Sequence, residues 1–106
     1  MRPMLLATIK FRAQPHKRAE ALGAVDSLAQ RMRGYSGCGC SRVLTDSDDQ
    51  NVLLISSEWQ DAGAAEVFFH SREFQIFKGV RILMREEPVI IIDEVRARVT
   101  RLMRAG

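Results

Sequence analysis

The side chains best suited to chemistry are concentrated between residues 59 and 81 of this 106-residue chain. His70 could act as a general base, because a histidine exchanges a proton near neutral pH. Arg81 could hold an anionic group through its planar fork of N–H donors. The walls of an apolar pocket could come from five aromatic side chains, Trp59, Phe68, Phe69, Phe74 and Phe77. Together these residues are compatible with a pocket that binds a ligand and removes one of its protons.

Each of these residues also has a purely structural interpretation. Aromatic residues at helical spacing are typical of a packed core. A single histidine near a helix end is commonly structural or solvated, and an arginine on a helix is commonly a solvated charge. Whether these residues form a functional site or a packed core therefore depends on the helices and strands that position them.

Cysteine and histidine spacing does not match a known metal site. Cys38 and Cys40 stand two apart on a predicted strand, so they should point to the same face, too far apart for an unstrained disulfide. His16 and His70 do not stand at a zinc-binding spacing from them. We therefore expect reduced thiols and no metal.

The net charge of +3 lies in the last eleven residues, where residues 96–106 contain four arginines and no acidic residue. The rest of the chain is close to neutral, so nucleic-acid binding is not expected. Val99, Leu102 and Met103 would align on a helix, which predicts an amphipathic tail packed on its own or a partner subunit. No apolar run is long enough to cross a bilayer, and the N-terminus lacks a signal-peptide pattern. We expect a cytoplasmic protein that binds no membrane.

Hydropathy patterning predicts one α+β domain over residues 1–95. Alternating or continuous apolar runs indicate strands over 4–12, 38–45, 52–59 and 89–95. Apolar residues at three- and four-residue steps indicate helices over 16–33, 61–69 and 71–85. The resulting order is that of a ferredoxin-like split βαβ fold with a four-stranded antiparallel sheet.

Two strands carry consecutive apolar residues, at 52–55 and 89–92. A strand in a sheet with one solvent-exposed face would instead alternate apolar and polar residues. Both sheet faces must then be apolar, and the helices of one chain can cover only one of them. If the other face were exposed to solvent, the protein would lose roughly 1.5 to 3 kcal/mol of burial free energy for each large aliphatic residue on it. The pattern predicts a homodimer in which a second subunit covers that face.

Four local patterns, in this order, resemble the antibiotic biosynthesis monooxygenase family. Gly37 and Cys38 are similar to the glycine-cysteine pair that opens its second strand, and Glu58 and Trp59 to the end of its third strand. The alanine-rich residues 61–65 resemble the helix that follows, and residues 71–74 resemble the segment in which a serine or threonine precedes a large apolar residue. The resemblance spans residues 4–95.

The resemblance implies a dimeric α+β barrel and a monooxygenase that needs no cofactor. Its substrate would be a quinol or another phenolic or polycyclic aromatic molecule. From the chemistry of the side chains themselves, we predict that the catalytic residues are His70 and Trp59. The substrate would be bound by Thr8, Phe68, Phe74, Phe77 and Arg81, with Thr8 nearest to the place of an asparagine used by related monooxygenases.

The sequence also departs from the family pattern. Many members carry a histidine three positions before the serine or threonine, and that position here is Phe68, whereas His70 is next to Ser71. No histidine lies near Lys78, where the haem-degrading members have one. An alternative function is therefore a non-catalytic dimeric module that binds a ligand or serves in a stress response. A different reaction, such as isomerisation of a small carbonyl compound, also remains open.

Overall fold

A computed structural model describes residues 4–79, 82–98 and 101. Its strands are β1 (Met4–Arg12), β2 (Cys38–Thr45), β3 (Val52–Trp59) and β4 (Val89–Val95). Its helices are α1 (Arg18–Arg33), preceded by a 3-10 turn over Pro15–Lys17, α2 (Ala62–Phe69) and α3 (Arg72–Lys78). None of the helices in these ranges is both long and apolar enough to span a membrane.

The four strands form one antiparallel sheet in the order β2-β3-β1-β4. The first strand therefore lies between the third and the last, as the split βαβ prediction requires. This confirms the predicted α+β fold class. It also makes β2 and β4 the edge strands.

The helices cover one face of the sheet. On this face β1 contributes Leu5, Ala7, Ile9 and Phe11, all buried. Helix α1 packs mainly on β2 and β3, whereas α2 packs on β1 and β3. The pairing of Ile9 with Ile55 and Ile90 shows that this face continues across three strands.

The helix predicted over residues 71–85 is wrong in its second half. Its start is confirmed, because the Ser71 hydroxyl accepts a hydrogen bond from the Phe74 N–H at 3.2 Å. The helix ends at Lys78, and the chain returns to the end of β1, where Met84 forms an isolated bridge with Ala13. The backbone N–H of Arg85 donates to the carbonyl of Arg12 at 2.8 Å. Backbone pairing with β1 therefore replaces the continued helix.

A β-bulge also corrects the expectation that the two cysteines share a face. Cys38 pairs with Trp59 and Cys40 pairs with Glu58, with a register shift between them. Because residues 58 and 59 point to opposite faces of β3, so do the two thiols. Both cysteines are free. Burial raises the pKa of the Cys38 thiol above its ordinary value, which lowers the thiolate fraction at neutral pH.

The predicted C-terminal helix falls largely outside the described residues. Within them, the chain leaves β4 and Arg98 donates to the Glu58 carboxylate at 2.7 Å. This contact anchors the start of the tail at the end of β3.

Gly37, which directly precedes β2, lies very close to α2, and we predict that Gly37→Ala destabilises the fold. Its φ is +88°, and an added Cβ would lie 2.5 Å from the Cβ of Ala64. The left-handed backbone alone costs an alanine roughly 1 to 2 kcal/mol. Denaturant unfolding should report a loss of at least this size.

Gly23→Ala is the matched control, because nothing lies within 4 Å of an added Cβ at that position of α1. The higher helix propensity of alanine should stabilise the protein by up to about 1 kcal/mol. Equal effects of the two substitutions would contradict the close approach at Gly37.

Candidate functional site

A groove of about 590 Å³ opens between α2 and the edge of the sheet. It exists because α2 lies over β1 and β3, while the edge strand β4 extends beyond the helix. The residues that line the groove are Leu5, Ala62, Ala65, Glu66, Phe69, His70, Ile90, Ile92 and Glu94.

Helix capping positions His70 at the mouth of this groove. Asp61 caps the start of α2 by accepting a hydrogen bond from the Ala64 N–H at 2.9 Å. His70 is the C-terminal cap, and its backbone N–H donates to the carbonyl of Glu66 at 2.9 Å. The last helical residue, Phe69, lies partly buried beside it. The end of α2 therefore brings both Phe69 and His70 to the groove.

The His70 side chain is exposed and forms no hydrogen bond or ion pair within the part of the chain that the structure describes. Two carboxylates, Glu66 and Glu94, line the same groove. Glu66 precedes His70 by four residues, a spacing that brings side chains to one side of a helix. An imidazole that is free of protein partners can exchange a proton with a ligand.

The apolar walls come from α2 and from two strands. Leu5 of β1 is buried, while Ile90 and Ile92 of β4 are 38% and 51% exposed on the helix-covered face of the sheet. Phe69 contacts Phe74 edge to face, with ring centroids 5.2 Å apart. An aromatic ring placed in the groove would thus meet aliphatic side chains on one side and Phe69 on the other.

Trp59, Phe68 and Phe74 lie behind this wall, in the core. All three are almost fully buried, and Trp59 stacks on Phe68 with ring centroids 5.8 Å apart. The indole N–H donates to the Ser57 hydroxyl at 3.0 Å, and that hydroxyl donates to the Ala7 carbonyl at 3.1 Å. The polar atom of Trp59 is therefore engaged within the protein.

The remaining predicted site residues do not join His70. Thr8 pairs with Ser56 and Ile91 and points to the sheet face opposite the helices. Phe77 contacts Phe11 edge to face and lines a smaller crevice of about 210 Å³ between α1 and α3. Arg81 lies outside the described residues.

Sequence reasoning missed seven of the residues that line the groove, which are Leu5, Ala62, Ala65, Glu66, Ile90, Ile92 and Glu94. The spacing of Glu66 and His70 was a local signal for two of the lining groups. Period-two alternation also places residues 90, 92 and 94 on one face of a strand. Over residues 4–79, 82–98 and 101, no three or more His, Cys, Asp or Glu side chains are grouped so that they could hold a metal ion.

The sequence model described as "antibiotic biosynthesis monooxygenase" matches residues 4–79, which is more than two thirds of the chain. This chain belongs to the antibiotic biosynthesis monooxygenase family. The matched segment runs from β1 through α3 and includes His70 and the whole α2 wall of the groove. Family membership supports a monooxygenase-like function in general.

Solved structures share the fold of this family member at low sequence identity. A proposed antibiotic biosynthesis monooxygenase from Deinococcus radiodurans has a TM-score of 0.84 and 18% identity, with 93% of this chain and 99% of that chain covered. A conserved protein from Methanosarcina mazei has a TM-score of 0.78 and 22% identity, with 89% and 94% covered.

A protein from Bacteroides thetaiotaomicron, described as a possible oxidoreductase, has a TM-score of 0.77 and 20% identity, with 89% of this chain and 99% of that chain covered. At such identities these likenesses concern the fold alone. A comparison with curated proteins finds no match.

Proposed function

We propose that this family member is a cofactor-independent monooxygenase that oxidises a quinol or another phenolic or polycyclic aromatic molecule in the groove beside α2. The observation that carries the proposal is the exposed imidazole of His70, which lines a groove with apolar walls and has no partner among the described residues. Such a groove can shield an aromatic ring from water while a base removes its hydroxyl proton.

The proposed reaction needs only the phenol and O₂. His70 removes the hydroxyl proton, and the phenolate transfers one electron to O₂. The two radicals join at a ring carbon that bears a hydrogen, opposite the hydroxyl in a simple phenol or next to it in a quinol, and the resulting peroxide takes the proton back from His70. Loss of the hydrogen on that carbon together with cleavage of the O–O bond gives a quinone and water. One oxygen atom enters the quinone, and the substrate supplies all four electrons.

The predicted site residues take different parts in this proposal. His70 is the base, and Phe69 is the aromatic wall that meets the substrate ring. Trp59, Phe68 and Phe74 hold Phe69 in place from the core. Arg81 stays a candidate for binding a substrate anion. We assign no part in this groove to Thr8 or Phe77.

The experiment is aerobic incubation of the flavin-free and metal-free protein with a phenol such as 1-naphthol. We expect one O₂ to be consumed for each quinone formed, and one atom of isotopically labelled oxygen to appear in the quinone. Formation of the quinone without incorporated label would contradict a monooxygenase.

One observation favours the second candidate, a ligand-binding module without catalysis. Where many family members have a histidine, this chain has Phe68, which is fully buried. Tight binding of the phenol, detected by calorimetry, without oxygen consumption would favour this second candidate over the enzyme.

We also propose that the protein is a homodimer in which the second subunit covers the sheet face opposite the helices. Val89 and Ile91 of β4 are exposed on that face, whereas Ile90 and Ile92 line the groove on the helix-covered face. Leu44 of β2 is also about half exposed. Contiguous apolar exposure of this kind is unfavourable in an isolated soluble domain.

The dimer proposal predicts that Ile91→Asp separates the subunits. Ile91 is 48% exposed in the single chain, so aspartate is tolerated there unless a partner buries it. In a symmetric dimer the change occurs twice, and association should weaken by at least about a hundredfold. Sedimentation should then give the monomer mass.

Ile82→Asp is the matched control, because Ile82 is 72% exposed and lies outside the sheet. Its variant should keep the dimer mass. A wild-type protein that sediments as a monomer at micromolar concentration would refute the proposed dimer.

A further inference from the structure

The charges that line the groove differ in sign from the charge of the whole chain. The chain carries a net charge of +3. The charged residues that line the groove are nevertheless Glu66 and Glu94, and its other titratable residue is His70. No lysine or arginine is among the lining residues that the structure describes. A ligand approaching this groove therefore meets a local negative potential.

The two carboxylates come from opposite walls. Glu66 belongs to α2, whereas Glu94 belongs to β4 and pairs in register with Leu5, a buried residue of the same groove. A ring held between the walls would therefore have a carboxylate on each side.

Neither negative charge is firmly neutralised by the described residues. Glu66 forms no ion pair or hydrogen bond with them through its side chain. Glu94 has an ion pair with Arg96 at 3.7 Å, but both side chains are largely exposed. Exposed ion pairs of this kind are weak and screened by salt. The carboxylate of Glu94 can therefore still attract a cationic ligand and repel an anionic one.

We propose that Glu66 and Glu94 determine ligand specificity, so that the groove accepts uncharged and cationic aromatic molecules and rejects carboxylated ones. This inference rests on the proposed function for the place of the ligand and narrows its substrate class. The preferred substrate is a hydroxylated aromatic that carries no acidic group, and a protonated amine on its periphery strengthens binding. The apolar walls hold the ring, and the carboxylates contact the ammonium group.

The test uses three probes that share one ring and cannot be oxidised as phenols: 2-naphthylmethylamine, 2-naphthylmethanol and 2-naphthoate. Calorimetry or NMR titration of the full chain measures their dissociation constants at neutral pH. We expect the amine to bind tightest and the carboxylate weakest, with about a fivefold difference at each step, as for charges a few ångströms apart in an open groove. About 0.5 M sodium chloride should reduce these differences.

The variant Glu66→Gln, combined with Glu94→Gln, should bring the three dissociation constants together while leaving that of the alcohol nearly unchanged. Glu20→Gln is the matched control, because Glu20 is an exposed acid on α1 outside the groove. It should preserve the order of the probes.

Equal binding of the amine and the carboxylate to the wild type would overturn the inference, as would an order that survives in the double variant. These probes need no turnover, so their binding order tests the inference even if phenols are not oxidised. Conversely, oxidation of phenols with no charge preference would leave the proposed function standing and remove this inference alone.

Discussion

Replacement of His70 by alanine is expected to lower turnover of a phenol by about a hundredfold or more, the typical effect of losing a general base. The imidazole is exposed and has no partner among the described residues, so its removal should leave the free energy of unfolding nearly unchanged. Oxygen consumption at saturating substrate measures the rate, and thermal unfolding measures the stability.

His16→Ala is the matched control, because His16 is also exposed and lies in the turn Pro15–Lys17, away from the groove. Its variant should oxidise the phenol at the wild-type rate. Added imidazole should partly restore the His70 variant if a missing base causes the loss. Wild-type turnover in His70→Ala would reject His70 as the base.

The variant Trp59→Ala is expected to lose roughly 3 to 5 kcal/mol of folding free energy, as for other fully buried aromatic residues. Trp59 is fully buried and packs against Phe68 and Phe69, so the cavity left behind would be lined by rings that cannot all move into it. Urea unfolding followed by circular dichroism is the suitable measurement, because the variant contains no tryptophan.

The milder variant Trp59→Phe separates packing from a direct contact with the ligand. It removes the hydrogen bond to Ser57 but keeps an aromatic ring, so the loss of stability should be smaller. If Trp59 only supports the wall, this variant should bind aromatic ligands as the wild type does. A folded Trp59→Phe protein that no longer binds them would instead indicate that the indole contacts the ligand.

The strands were predictable because burial on one face imposes a period of two on the residues. The predicted and observed bounds agree for all four strands. The Cys38 to Cys40 segment is the exception within β2, since the bulge depends on pairing with β3 and has no signature in the local hydropathy.

The end of α3 was not predictable from periodicity. Phe74, Phe77 and Met84 stand at spacings that suit one helical face, and the helix prediction extended through all of them. Met84 is buried, but it lies in an isolated bridge to Ala13 just after β1 and not in a helix. A helix and an extended segment can bury the same apolar residue, and only the long-range backbone pairing distinguishes them.

The sequence by itself determined the order of elements, the α+β class and the family, because these depend on local periodicity and on short motifs in order. Only the tertiary structure decided which aromatic side chains line the groove and which are buried in the core. Trp59 and Phe69 both lie near the end of an element, yet strand register buries the first and the end of α2 leaves the second beside the groove. The groove also needs β4 beside β1, which the split βαβ order predicted, and it needs α2 to pack mainly on β1 and β3, which is a tertiary contact that no local pattern encodes.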